Sequence, residues 1–473
     1  MLGVSGLRGI VGESLTPDVA TRYAAAFGAW LRERVNDPDG PSVVIGRDGR
    51  AGGADIMQAA IEGLLHTGCR VTDVGVAMTP TVGVAVDHID AHAGMVVTAS
   101  HNPQQWNGLK CLLADVRQGR ADHATAAAPP ADLAQQIIDR FQSGRDARAA
   151  EPGHRTQWSD AAAEHVARVE RALDESNSRT GHVRFRVVVD SVNASGASAA
   201  RDLLASLGAD VVAINDDDSG IFPHTPEPIA ANLTDLCAIV TEAGADVGFA
   251  QDPDADRLAI VDEHGRYIGE EYTLALAAHS LLSAPGDHAG AILCTNLSTS
   301  RMIDDVAAHH GARVIRTPVG EANVAHAMKT HASNLGGEGN GGVIWPSVAC
   351  VRDSLSAMAL VLSLMARTGR TVSQLVADIN ALGPNPDGYV IEKRKVDIPS
   401  RDAATPAIEA IAAHFATRPG ARLDRQDGVR IDFEGAWLHV RPSNTEPIMR
   451  LIAEAPTAEG ATTLLDEAAR AIR

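Results

Sequence analysis

The sequence predicts an α/β protein of three similar α/β/α domains on mixed or parallel sheets, followed by a smaller α+β domain. Length is the first observation: 473 residues exceed one hydrophobic core and divide into units of about 100 to 150 residues. The second is a pattern that occurs three times, an apolar β run, a polar turn, an amphipathic helix, a glycine and a second β run. The third is that the pattern changes after Gly388.

The first repeat runs from Ser42-Val43-Val44-Ile45-Gly46-Arg47-Asp48 through a helix around Ile56 to Leu65, to Gly68-Cys69-Arg70-Val71. The second runs from Arg186-Val187-Val188-Val189-Asp190 through Ala199 to Leu207, to Gly208 and Val211-Val212. The third runs from Ala291-Ile292-Leu293-Cys294 through Met302 to His309, to Gly311 and Val314-Ile315. Apolar runs alternating with period-3.6 helices that end in glycine are βαβ units. Their wide spacing gives separate domains; a solenoid would repeat every 20 to 50 residues or so. The Ala/Pro-rich stretch from Ala121 to Pro130 reads as a surface loop, Ser143 to Gln157 as a linker, and Asn380 to Asp387 as a second boundary. The expected units are 1–150, 151–261, 262–380 and 381–473. In the last, a helix around Ile408 to Phe415, two strands flanking Glu434-Gly435, and a helix from Ala458 are expected.

Composition narrows the function classes. Lys+Arg total 41 against 60 Asp+Glu, a net charge of -19, and 3% of residues are aromatic, so nucleic acid is not an expected partner. Five scattered cysteines offer neither zinc spacing nor a disulfide framework, which fits a reducing cytoplasm. No apolar run is long enough to span a bilayer, so no membrane association is expected.

Four loops carry chemistry. Thr98-Ala99-Ser100-His101-Asn102-Pro103 sets a serine hydroxyl on a turn after Met95-Val96-Val97, where a covalent phosphoryl carrier could sit; taken alone, it reads first as a turn or N-cap residue. No G-x-S-x-G elbow surrounds Ser100, and His101 is poorly placed as a base for its own neighbour, which disfavours a hydrolase triad. Asn107-Gly108-Leu109-Lys110 adds a lysine for proton transfer or phosphate pairing. In Asp252-Pro253-Asp254-Ala255-Asp256-Arg257 the alternating carboxylates can converge on Mg²⁺ or Ca²⁺, with a phosphoserine oxygen from Ser100 completing the shell. Arg257 occupies the position where an EF-hand needs glycine, and a solvated acidic loop is the plainer alternative. Gly337-Glu338-Gly339-Asn340-Gly341-Gly342 matches a dinucleotide fingerprint in letters only, because Val343-Ile344-Trp345-Pro346 follows where a helix should open. Glu338 could accept from two sugar hydroxyls, although a glycine-rich turn stays open. Arg441-Pro442-Ser443-Asn444-Thr445-Glu446-Pro447 has the donors for a phosphate dianion, or it is a polar hairpin.

In this order and spacing the loops resemble the α-D-phosphohexomutase family of phosphoglucomutases, phosphomannomutases and phosphoglucosamine mutases, over essentially the whole chain. The resemblance implies four domains around a central cleft and an isomerase that interconverts hexose 6-phosphate and hexose 1-phosphate through a phosphoserine and a 1,6-bisphosphate. It implies Ser100 as carrier and metal ligand, one Mg²⁺ per chain on Asp252, Asp254 and Asp256, and a hexose 1,6-bisphosphate as activator. Lys110, Arg257 and the Arg8 of Gly6-Leu7-Arg8-Gly9 join Ser100 as catalytic candidates, and His101 is kept with them. Glu338 and Glu321 are implied at the sugar ring, with Asn340 in the same loop, and Arg441, Ser443, Asn444 and Thr445 at the non-reacting phosphate. Asn340 stands where many members carry serine, which points to glucosamine phosphate, while Asn444 is more usual among glucose and mannose enzymes. Phosphoglucosamine mutase is the first expectation, with phosphomannomutase or phosphoglucomutase as the alternative. A Mg²⁺-dependent sugar phosphatase and a sugar-phosphate sensor are the remaining rivals. The expected protein is a monomer or homodimer.

Overall fold

Each repeated β-helix-β segment forms two neighbouring parallel strands of its own sheet. The computed structural model describes residues 2–3, 6–114, 125–144, 149–179, 184–443 and 447–472. In the first sheet Ser42–Arg47 pairs in parallel with Arg70–Val76 on one side and Ala93–Val97 on the other, and Ala93–Val97 pairs antiparallel with Trp106–Leu113. The second sheet repeats this arrangement with Arg186–Asp190, Asp210–Ile214, Val247–Gln251 and antiparallel Leu258–Asp262. The third does so with Ile292–Asn296, Arg313–Thr317, Leu335–Glu338 and antiparallel Gly342–Ile344. Strands covered on both faces need no polar alternation, which is why Ala93–Val97 reads as an unbroken apolar run and Val247–Gln251 as one ended by Gln251, both buried throughout.

One topological position therefore recurs, the turn between the last parallel strand and its antiparallel partner. It holds Ser100 in the first sheet, the three aspartates in the second and Glu338 to Gly341 in the third. All three turns lie at the C-terminal ends of parallel strands, where open α/β sheets bind ligands.

Helix Ser354–Thr368 is buried on nearly every face, and its side chains join the second and third domains in one apolar core. Asp353 starts it by accepting from the N–H groups of Leu355 and Ser356 at 2.9 and 3.0 Å. The fourth unit is a five-stranded antiparallel sheet in the order Val390–Asp397, Ile448–Ala455, Ala436–Pro442, Val429–Phe433, Arg422–Asp424, covered by helices Ala404–Ala416 and Ala458–Ala471.

Three expectations change. Residues 121–124 lie outside the described residues, and the rest of the supposed surface loop is not exposed, because Ala126 and Ala127 are buried and Ala127 packs on Ala325 and Cys350. Alanine and proline there supply small apolar surface between the first and third domains. The linker ends in a strand, Arg155–Gln157, that extends the first sheet beside Arg70–Val76. The boundary segment Asn380 to Asp387 begins inside a helix, since Val372–Leu382 runs past Asn380 from a Thr371/Gln374 capping box.

Candidate active site

Ser100 sits in a strained turn that the preceding strand braces. Its φ is 50°, in the left-handed region, and its N–H donates to Thr98 Oγ1 at 2.8 Å. Thr98 Oγ1 in turn donates to Asp48 Oδ2 at 2.7 Å. Arg50 pairs with the same carboxylate at 2.7 Å and donates to the carbonyls of Ser100 at 2.5 Å and Trp106 at 2.6 Å. Asp48 and Arg50, both fully buried, thus hold the Ser100 turn from behind. The sequence reading placed Asp48 only at the end of a strand and passed over Arg50; two charges directly after a buried parallel strand were the available signal.

The aspartate loop curls as its composition suggested. Asp252 Oδ1 accepts from the N–H groups of Asp256 and Arg257 at 3.1 and 3.2 Å, while Ser100 Oγ donates to Asp252 Oδ2 at 2.7 Å. The loop's own domain and its two neighbours fix the curl: Thr79 Oγ1 donates to Asp254 Oδ2 at 2.6 Å, Ser195 Oγ to the Pro253 carbonyl at 2.7 Å, and Ser354 Oγ to the Ala255 carbonyl at 2.7 Å. One oxygen from each of Asp252, Asp254 and Asp256 falls within 4.8 Å of the others. Asp254 Oδ1 and Asp256 Oδ1 are buried without a hydrogen-bond partner among the described residues. Buried acceptors left unmade are costly, so this donor set fits a hard divalent cation.

Charge is unevenly shared within the triad. Burial, reinforced by Asp254 and Asp256, pushes the Asp252 carboxyl well above the usual range, and burial and Asp256 also raise Asp254. Burial would raise Asp256 too, but Arg352, Lys110 and Arg257 outweigh it and hold that carboxyl well below its usual range. Lys110 Nζ lies 3.2 Å from Asp256 Oδ2 and 3.1 Å from Glu321 Oε2; these carboxylates overcome burial and raise its ammonium. His101 Nδ1 is 3.4 Å from Ser100 Oγ, and its pKa falls to about 3 through burial and the positive charges of Arg257 and Arg8. Arg8 Nη1 donates to Asn102 Oδ1 at 3.2 Å, and Arg257 Nε is 3.9 Å from Asp256 Oδ1.

The glycine loop joins this network through a residue the sequence reading missed. Arg352 donates to Glu338 Oε2 at 2.7 Å and to Asp256 Oδ2 at 2.5 Å, and its N–H donates to Glu321 Oε1 at 3.0 Å. Asn340 Nδ2 is 3.5 Å from Glu338 Oε2. In the fourth unit, Arg441 Nε lies 2.9 Å from Asp427 Oδ2, which also accepts from the N–H of Val319, two residues before Glu321. Ser443 is buried at the end of that strand, and Asn444 and Thr445 lie outside the described residues. The structure thus gathers Ser100, Lys110, the aspartates, Arg257, Glu321, Glu338 and Asn340 in one network, with Arg441 joined to it through Asp427 and the loop at Val319.

Comparison with known proteins decides the family. Four phosphoglucomutase/phosphomannomutase domains match in order: alpha/beta/alpha domain I over 1–128, domain II over 163–265, domain III over 269–382 and the C-terminal domain over 394–471. The chain belongs to the α-D-phosphohexomutase family. A phosphoglucomutase/phosphomannomutase of Thermococcus kodakarensis is 36% identical over 476 residues, covering 98% of this chain and 97% of the relative. A probable phosphoglucosamine mutase of Methanopyrus kandleri is 34% identical, covering 98% and 96%. Among solved structures, a family protein from Burkholderia thailandensis superposes with a TM-score of 0.82 at 27% identity, covering 100% of this chain and 98% of that one. The enzyme is accordingly a phosphohexomutase, an isomerase that moves a phosphoryl group within a hexose phosphate. Among the described residues, no helix is long and apolar enough to cross a membrane.

Proposed function

We propose that this phosphohexomutase carries its phosphoryl group on Ser100 and converts glucosamine 6-phosphate to glucosamine 1-phosphate. The observation that carries the reading is the 2.7 Å contact from Ser100 Oγ to a buried carboxylate of a convergent aspartate triad. A Mg²⁺ held by Asp252, Asp254, Asp256 and a phosphoserine oxygen would neutralise phosphoryl charge. The protein's own groups do the rest. Arg50 and Asp48 keep the Ser100 turn rigid, so the phosphoryl group is presented in one direction. Lys110, held as an ammonium, is a charge partner for the transferring group; its surroundings favour that role over general base. Glu338 and Glu321 line the ring position, and Arg441 with Ser443, Asn444 and Thr445 takes the distal phosphate. The four units 1–150, 151–261, 262–380 and 381–473 each contribute one loop.

Glucosamine is favoured by Asn340 in the sugar loop and by the M. kandleri relative's name, while the T. kodakarensis relative's name supports glucose or mannose phosphates. A hexose 1,6-bisphosphate is the expected activator. Five cysteines outside any disulfide, four of them buried, suit a reducing cytoplasm. Intact mass after incubation with glucose 1,6-bisphosphate should rise by one phosphate and fail to rise in Ser100→Ala; labelling that persists in the variant sinks the assignment. Comparison of kcat/KM for glucosamine, glucose and mannose phosphates then ranks the sugars, and a preference for mannose would overturn the first choice.

A further inference from the structure

Arg352 is pinned between the aspartate loop and the sugar loop. Asp353 fixes its backbone, donating its N–H to the Val343 carbonyl at 2.7 Å while capping the following helix, and His165 Nε2 lies 3.2 Å from the Asp353 carboxylate. The guanidinium is buried, with Nη2 on Asp256, Nη1 on Glu338 and Nε 3.8 Å from Glu321 Oε2. Glu338 has its four acceptor positions taken: Oε1 by Asn296 Nδ2 at 2.8 Å and the Gly320 N–H at 3.2 Å, Oε2 by Arg352 at 2.7 Å and Asn340 at 3.5 Å. A sugar hydroxyl that donates to Glu338 must displace one of these, and Asn340 holds on least. Arg352 holds most firmly and sets the direction of Oε2. The same guanidinium lies against Asp256, whose other oxygen accepts no hydrogen bond among the described residues.

We infer that Arg352 is a positioning residue with two separable actions: its charge weakens the grip of Asp256 on a divalent cation, and its two-armed bridge orients Glu338 toward the sugar. The inference rests on the assignment of the aspartates to metal and of Glu338 to sugar. A fixed cation beside a ligand carboxylate opposes a second cation at short range. Lysine keeps that charge but lacks the planar fork that spans two carboxylates.

The test measures binding, not turnover, on the full-length unphosphorylated enzyme: Mn²⁺ by electron paramagnetic resonance without sugar, and glucose 1-phosphate by calorimetry. Arg352→Met should bind Mn²⁺ about three- to tenfold more tightly. Arg352→Lys should stay within about twofold for Mn²⁺, and both variants should bind glucose 1-phosphate roughly tenfold more weakly. Unchanged or weaker Mn²⁺ binding in a folded Arg352→Met overturns the charge action. Unchanged sugar binding in Arg352→Lys overturns the bridge, even if the methionine variant does not fold. Asp254→Asn and Glu338→Gln separate this inference from the site assignment: wild-type Mn²⁺ affinity in the first, or wild-type sugar affinity in the second, would discard the assignment itself.

Discussion

Burial sets the charge of the carboxyls around the cleft, and it does so in opposite directions according to which cations are near. Asp256 keeps its charge because Arg352, Lys110 and Arg257 surround it, whereas Glu271 has little compensation. Burial raises Glu271 to about 8, against partial relief from Lys393 and the Ser300 N–H, which donates to it at 2.9 Å. An unfolded glutamate ionises near its ordinary 4.5, so the unfolded chain loses this proton first. The folded state is therefore undiminished below that pH and loses stability as pH rises toward about 8. Glu271→Gln, which stays neutral, should gain over the wild type by roughly 1–2 kcal/mol more at pH 8 than at pH 6, after allowance for solvent screening. Thermal midpoints at the two pH values check this, and equal gains would mean that Glu271 is ionised throughout. Residues of this kind are the least legible in sequence. Ser100 and the aspartates announce themselves by motif, but Arg352, Asp48 and Arg50 are single charges whose partners come from other loops or from across the turn.

At the scale of elements, the sequence showed what repeats locally and missed what depends on neighbours. The βαβ units were legible because each is apolar run, helix and glycine in order. Strand Ile448–Ala455 was not, since its pairing with Val390–Asp397 and Ala436–Pro442 is a property of the assembled sheet. The glycine loop was read correctly as extended rather than helical, and its glycines answer to geometry. Gly341 has φ +85°, and a Cβ there would lie 2.5 Å from the Leu258 carbonyl oxygen; its own carbonyl accepts from the Leu258 N–H at 2.9 Å. This bond ties the sugar hairpin to the strand leaving the aspartate loop. Gly369, at φ +65° after helix Ser354–Thr368, has open space around it. Gly369→Ala should cost about 1 kcal/mol from backbone conformation alone. Gly341→Ala should cost ~2–3 kcal/mol and lower kcat/KM as well, because the hairpin must shift. Similar melting losses and unchanged kinetics in both variants would show that the tie between the loops has no catalytic consequence.

For the whole molecule, the proposed phosphate clamp depends on how the fourth unit sits on the third domain. In this structure it is docked on the third domain by contacts that differ in kind. Arg430 donates to the Leu297 carbonyl at 2.5 Å, the Arg301 N–H to Glu454 at 3.1 Å, and Tyr389 Oη to Asp305 at 2.7 Å, while Ser298 Oγ meets His439 Nδ1 at 2.8 Å. Asp427 is placed differently from these, because its Oδ2 serves both Arg441 and the Val319 N–H. A phosphate that takes Arg441 draws the cation away from Asp427 and so alters a contact between the units. Either end of a bisphosphate presents the same dianion, so on the proposed assignment one clamp would serve both halves of the reaction. Motion in the chain is expected between Gly383 and Gly388, which lie between the last helix of the third domain and the first strand of the fourth unit. Small-angle scattering with glucose 1,6-bisphosphate should therefore show a smaller radius of gyration than without it, and cleavage at these glycines should change in parallel. Arg441→Ala should abolish the response of both measurements to the ligand. If the wild type shows neither change, the fourth unit binds phosphate from its docked position and the distal contact requires no closure.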